Sequence, residues 1–248
     1  MARRSYFLPF IILLGCAVFM RRNDFAKGMD YYHKSDFLNA SKYFDQYYQK
    51  HPASETTMYY LYDCYQKLNK TEPALAVLEQ LRRLGSEDEN VYLNLFYHYQ
   101  KSARYQDLYH LLVELKPQLW PVVDKKYVLT RRLYAEILNG AFGDIGDRRD
   151  PIDFAIKSDF LEPLPDGRFY ENDSITKGNL IIVLDKQLAP IYPSKFLSMA
   201  YISNHSFLYL PYMRLVCLGI LDFDANLNPR ENAPLSMATR AIANLKRR

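Results

Sequence analysis

From Phe25 to about Pro117 the apolar positions recur in blocks of 34 residues: Tyr31, Tyr65 and Tyr99 share one register, and so do Ala40, Ala74 and Leu108, Phe44, Leu78 and Leu112, and Tyr47, Leu81 and Leu115. Within each block two apolar stripes at helical spacing flank a polar break, which predicts a helix-turn-helix unit. In the first block, Gly28 and Ala40 are small where two antiparallel helices must approach, Phe44 and Tyr47 fill the seam, and Pro52 stops the second helix. The second block closes on Gly85, a helix-stop residue after the last apolar position. After the third block, Val122 to Asn139 continues a helical pattern that would cover the open end of the array.

The texture changes after Gly140 to Asp150, where three glycines fall in a few residues and suggest a domain boundary. Beyond it come a helix from Pro151, a Pro165-Asp166-Gly167 turn, and a helix capped by Thr176 that runs to about Leu188. A weaker copy follows 60 residues on, with a helix over Leu210 to Leu218, a turn at Asn226 to Pro229, and Ser236 capping the last helix. The expectation is a predominantly all-α chain. It divides into residues 1–22 as a signal or anchor, 23–120 as three repeats, 121–146 as capping helix and linker, and 147–248 as a second domain.

The spacing Gly28-x2-Tyr31, then Ala40-x3-Phe44, then Pro52, resembles the tetratricopeptide repeat (TPR). That resemblance implies an array of helical hairpins binding a peptide or partner protein along a groove made by the first helices. Carried over by position, the groove would be lined by Phe25, Met29, Tyr32 and His33, by Tyr59, Asp63, Gln66 and Lys67, and by Leu93, Tyr97, Gln100 and Lys101. The helix, Pro-Asp-Gly-x-Phe turn and Ile175-Thr176-capped helix resemble the S-layer homology (SLH) repeat, in two degenerate copies. That resemblance implies docking to a cell-wall polymer, with Asp166, Arg168, Thr176 and Lys177 as candidate contacts. Where the family carries Thr-Arg-Ala-Glu, this chain has Thr176-Lys177-Gly178-Asn179 and Ser236-Met237-Ala238-Thr239.

Charge adds a location rather than a partner. The formal net charge is +4, and Arg3, Arg4, Arg21 and Arg22 account for it, so no basic field points to nucleic acid. Those arginines flank a 15-residue apolar run, Tyr6 to Met20. As a helix the run would span about 22 Å against a hydrocarbon core of about 30 Å, short for a membrane span and suited to a secretory signal. Within it Leu13-Leu14-Gly15-Cys16 resembles the lipobox of bacterial lipoproteins, which implies lipidation at Cys16; an uncleaved anchor is the alternative. Either tethers the chain by its N-terminus to an envelope membrane.

The three cysteines have no metal or disulfide spacing, and Cys64 and Cys217 are expected to be small buried hydrophobes. Asp222-x-Asp224-x-Asn226-x-Asn228 alternates like a calcium loop but lacks its glycine and its closing glutamate. No catalytic pair, metal motif or phosphate-cradling loop stands out, so no cofactor or metal is expected. The sequence therefore points to a non-enzymatic, membrane-tethered envelope scaffold that holds a protein partner and docks to the wall. The alternative is a TPR lipoprotein subunit of an outer-membrane assembly or secretion complex, without glycan binding.

Overall fold

A computed structural model describes residues 23–144, 150–189 and 191–248, and these are all-α: twelve α-helices and one short 3-10 turn, with no strand among the described residues. The signal or anchor segment and Cys16 lie outside the described residues. No described helix is long and apolar enough to cross a membrane. The chain forms two compact units, Met1–Val91 and Tyr92–Arg248.

The first unit carries α1 (Asp24–His33), α2 (Phe37–Lys50), α3 (Glu55–Lys67) and α4 (Thr71–Arg83). Asn23, Asp36 and Ser54 cap the first three through side-chain oxygens that accept from the backbone N–H three residues on. Successive helices pack on one another around Ala40, Phe44, Leu61 and Cys64. Gly28 sits directly against Phe44: a Cβ there would come within 2.6 Å of the ring, so glycine lets α1 close on α2.

The 34-residue step extends to backbone detail. The turn after α1 places Ser35 in the left-handed region (φ 58°), the turn after α3 does so with Asn69 (φ 54°), and the turn after α5 (Glu89–Lys101) with Ala103 (φ 55°). At each turn an N–H reaches back to the repeat tyrosine's carbonyl: Asp36 to Tyr31, Lys70 to Tyr65, Arg104 to Tyr99. A left-handed alanine is disfavoured by about 1–2 kcal/mol. Ala103→Gly is therefore expected to raise stability by up to about 1 kcal/mol after the added unfolded-state entropy is subtracted. Thermal unfolding checks this, and a lowered midpoint would sink it.

The second unit continues from α5 through α6 (Tyr105–Val113), α7 (Trp120–Lys126), α8 (Arg131–Phe142), α9 (Pro151–Lys157), α10 (Lys177–Lys186), α11 (Tyr209–Cys217) and α12 (Leu235–Lys246). The third repeat's second helix, α6, packs on α8 and α12. Three expectations change here. The helical pattern over Val122 to Asn139 is broken at Tyr127 to Thr130, because Tyr127 and Thr130 are extended, the Leu129 carbonyl accepts from Ile175 N–H (2.9 Å), and Thr130 caps α8. Gly140 is not linker: it lies inside α8, where a Cβ would stand 2.1 Å from the Tyr105 carbonyl oxygen. Cys217 is only partly buried, whereas Cys64 is buried as expected.

Candidate functional site

The C-terminal copies are related in register. Phe160 and Leu161 donate backbone N–H groups to the Ala155 carbonyl after α9; Ile220 and Leu221, 60 residues on, donate to Leu215 after α11. The pivots between them, Asp159 and Gly219, both have positive φ. Each copy then makes an aspartate turn: Asp166 accepts from Arg168 N–H (3.0 Å), and Asp224 from Asn226 N–H (2.9 Å). These aspartates are 58 apart, since the second connection is two residues shorter. The shift carries on to the helix starts. Thr176 caps α10, its Oγ1 accepting from Asn179 N–H, while the matching residue before α12 is Pro234.

Ser236 is therefore not a cap. It lies in the first turn of α12, where its N–H and Oγ–H donate to the two carboxylate oxygens of Asp124 on α7 (2.8 and 2.5 Å). The other two helix starts are satisfied in relay by backbone carbonyls. Arg131 and Arg132 at the head of α8 donate to Asp173 and Glu171, and Lys177 and Gly178 at the head of α10 donate to Glu231 and Pro229. Ile175 N–H bonds Leu129 O, and Ala233 N–H bonds Ile175 O. Helices α8, α10 and α12 thus occupy three like positions. The orphan N–H groups of each are taken up by its neighbour.

This relay creates two equivalent pockets. One, about 510 Å³, is lined by Arg131 from the head of α8, by Phe160, Leu161 and Glu162, and by Ile182 and Lys186 of α10. The other, about 220 Å³, is lined by Lys177 from the head of α10, by Ile220, Leu221 and Asp222, and by Met237 and Arg240 of α12. Each combines a cation from one helix start, a short apolar-then-acidic segment, and the face of the next helix. Lys177 Nζ bonds Glu231 (2.6 Å), which holds that carboxyl below its ordinary range, and Arg240 pairs with Asp222 (3.0 Å). Lys186 pairs with Glu162 (2.6 Å), and Arg131 lies over the Phe169 ring (4.4 Å).

Of the four wall-contact candidates, Lys177 lines a pocket and Thr176 supports it from the cap. Asp166 stays in its turn, its carboxyl lowered by the Tyr170 hydroxyl (2.5 Å), and Arg168 is exposed beside it. Arg131 and Arg240 are the pocket residues that sequence reasoning passed over. The triplet Leu129-Thr130-Arg131 has the same apolar, threonine, cation order as Ile175-Thr176-Lys177, and that order was the available signal.

The groove candidates separate into the two units. In the first, Phe25 packs on Phe44, Tyr47 and Tyr60, Met29 joins the same cluster, and Tyr32 donates to Asp63 (2.7 Å) against the rings of Phe37 and Tyr60. That bond to Asp63 pushes the Tyr32 hydroxyl up to about 12. Tyr59 bonds Ser86 (3.1 Å), Gln66 donates to the Tyr62 hydroxyl, and Lys67 is exposed.

In the second unit Tyr97, Gln100 and Lys101 do come together, in a pocket of about 440 Å³ with Tyr105, Arg132 and Glu136. Glu136 is its buried floor: Gln100 Nε2 donates to one carboxylate oxygen (2.8 Å) and Arg132 Nε approaches the other (3.3 Å). Burial pushes the Glu136 carboxyl up despite those partners. Lys101 stands 5.6 Å over the exposed Tyr97 ring.

No family model matches this chain, and no curated protein matches it either.

Proposed function

We propose that this chain is a non-enzymatic scaffold of the bacterial cell envelope, exported and held to a membrane by its N-terminal segment. In this reading its TPR-like hairpins take a protein partner, and its SLH-like C-terminal half docks to a cell-wall polymer. The observation that carries the docking half is the duplicated pocket. Two sites of one design, each with two cations, carboxylates that pair with them and an apolar floor, suit a polymer of repeating sugars whose acid groups exchange into those ion pairs better than a single small substrate. Guanidinium and ammonium groups would bond the acid groups, and the apolar floor would take sugar faces. The partner half rests on the pocket at Tyr97, Gln100 and Lys101, which offers an exposed ring and an amide to an extended peptide.

The test is co-sedimentation of the protein with isolated wall polymer, before and after Arg131→Gln and Lys177→Gln. Retention is expected, with affinity falling about tenfold for each cation removed, since a charge-assisted hydrogen bond contributes about 1.5–3 kcal/mol. If the unaltered chain is not retained, the wall-docking half fails. The reading as a TPR lipoprotein subunit of an outer-membrane assembly or secretion complex then takes its place, supported by the same Tyr97 pocket.

A further inference from the structure

Between α10 and α11 the chain runs through a connection with no regular structure that turns aromatic rings outward. Seven of the fifteen large apolar side chains exposed among the described residues fall between Ile191 and Leu210. Tyr192 is 89% exposed, Phe207 77%, Tyr201 63% and Phe196 59%.

This is a built surface, because the same segment is pinned from beneath. Pro193, Ile202 and Leu208 are buried, the Tyr209 hydroxyl donates to Leu197 O (3.0 Å), and Ala200 N–H donates to Ala225 O (2.8 Å). Pro193, Ile202 and Leu208 go inward while the rings of Tyr192, Phe196, Tyr201 and Phe207 stay out, where burial alone would have favoured enclosing those larger apolar groups.

The charges carried by the segment itself are one-sided; the carboxylate beside it is Asp224, next to the Ala225 that Ala200 bonds. From Lys186 to Leu221 there is no aspartate or glutamate, and the charged residues are Lys186, Lys195 and Arg214, with His205 as a titratable neighbour. Arg214 and Lys186 are held in ion pairs with Asp185 and Glu162, so Lys195 and His205 are the groups the connection itself presents beside its rings. Tyrosine and phenylalanine with a basic residue and no carboxylate is the composition that settles at a lipid headgroup boundary. There rings bury area without a charge having to be dehydrated, and lysine meets anionic phosphate. A protein partner of matching charge would have to bring its own carboxylates and a concave apolar face. An anionic bilayer offers phosphate charge and an apolar interior together in one surface, and needs no shape matched to the loop.

We propose that residues 191–210 form a membrane-interface loop that inserts Tyr192, Phe196, Tyr201 and Phe207 into the headgroup region of an anionic bilayer. A tether alone leaves the body free to rotate above the membrane, and a second contact fixes one face towards it. The loop's contact does not depend on how the N-terminus is held.

The experiment places the full chain in vesicles containing brominated phosphatidylcholine and phosphatidylglycerol. It compares the parent, whose one tryptophan is Trp120, with Phe207→Trp and with Tyr97→Trp, an exposed position in the same unit. The expected result is that the added emission at 207 shifts to the blue and loses most of its intensity to the bromines, while that at 97 remains accessible to aqueous iodide. Flotation without bromine quenching at 207 would overturn the loop's insertion while leaving the tether standing. Failure to float would overturn the tether, and the loop would then stand or fall on whether vesicles added from outside quench position 207. Protection of 207 from iodide without quenching by bromine would mean that a second copy, residues 1–22 or another protein covers the loop, and the proposal would be wrong.

Discussion

Gly140→Ala is expected to destabilise the second unit by about 3 kcal/mol, at the upper end of what overpacking a core costs. The reason lies in what the new methyl would meet. An ideal Cβ at this position stands 2.1 Å from the Tyr105 carbonyl oxygen and 2.9 Å from the Tyr109 Cβ. Neither is the loose end of a side chain: one is backbone at the start of α6, the other the first atom out from it. Relief therefore requires α6 and α8 to part. Helix α8 is buried at every position from Leu133 to Ala141, and α6 and α8 both pack on α12, so the displacement would spread through the unit. Against a total stability of about 5–15 kcal/mol for a domain, that loss is large. Urea unfolding followed by Trp120, which lies in this unit, should show an earlier midpoint. A midpoint equal to the parent's would mean that the helices are not held at this distance.

Gly140 also illustrates where the sequence was legible and where it was not. As one of three glycines in a short stretch it read as a breaker, because local composition cannot register a helix pressing on that spot from Tyr105 and Tyr109, far back in the sequence. The hairpin register was legible because it is written in side chains that must fill a seam, such as Phe44 against Gly28. The left-handed residues of the turns were not, since serine, asparagine and alanine fill a conformation that glycine would have announced. The break at Tyr127 to Thr130 was hidden for a related reason: Leu129 fits a helical stripe, and its carbonyl is taken up instead by Ile175 N–H, far along the chain. That concealed Arg131 as a pocket residue, while Lys177 was found because Thr176 follows a visible turn. Ser236 was misplaced by two residues because the 60-residue register of the first helices was carried across a connection that is shorter in the second copy. The all-α class survives each of these errors, as it depends on periodicity within helices and not on where they meet.

Arg132→Met is expected to cost about 2 kcal/mol at pH 7.5 and much less at pH 4.5. Glu136, nearly enclosed at the floor of the Tyr97 pocket, has Arg132 Nε 3.3 Å from one oxygen and the Gln100 amide on the other. Removing one partner of a fully buried pair costs about 3–5 kcal/mol, mostly from the charge left behind. The expectation here is lower because the Arg132 side chain is 37% exposed and shares itself with Glu171 and Asp150. The pH dependence follows from Glu136. Burial already lifts its carboxyl above its ordinary value of 4.5, so the folded chain binds that proton more tightly than the unfolded chain does. Its proton-linked stability is full below the ordinary value and is lost as pH rises through the raised one. Taking away the guanidinium lifts the carboxyl further, widens that window, and concentrates the loss at neutral pH. Adding Glu136→Gln removes the charge while keeping a group that can bond Gln100, and should recover most of the stability at pH 7.5 in the Arg132→Met background. Equal losses at the two pH values, or no recovery in the double variant, would mean that Arg132 acts by packing and by its exposed partners, and that the Tyr97 pocket has no charged floor to present to a bound peptide.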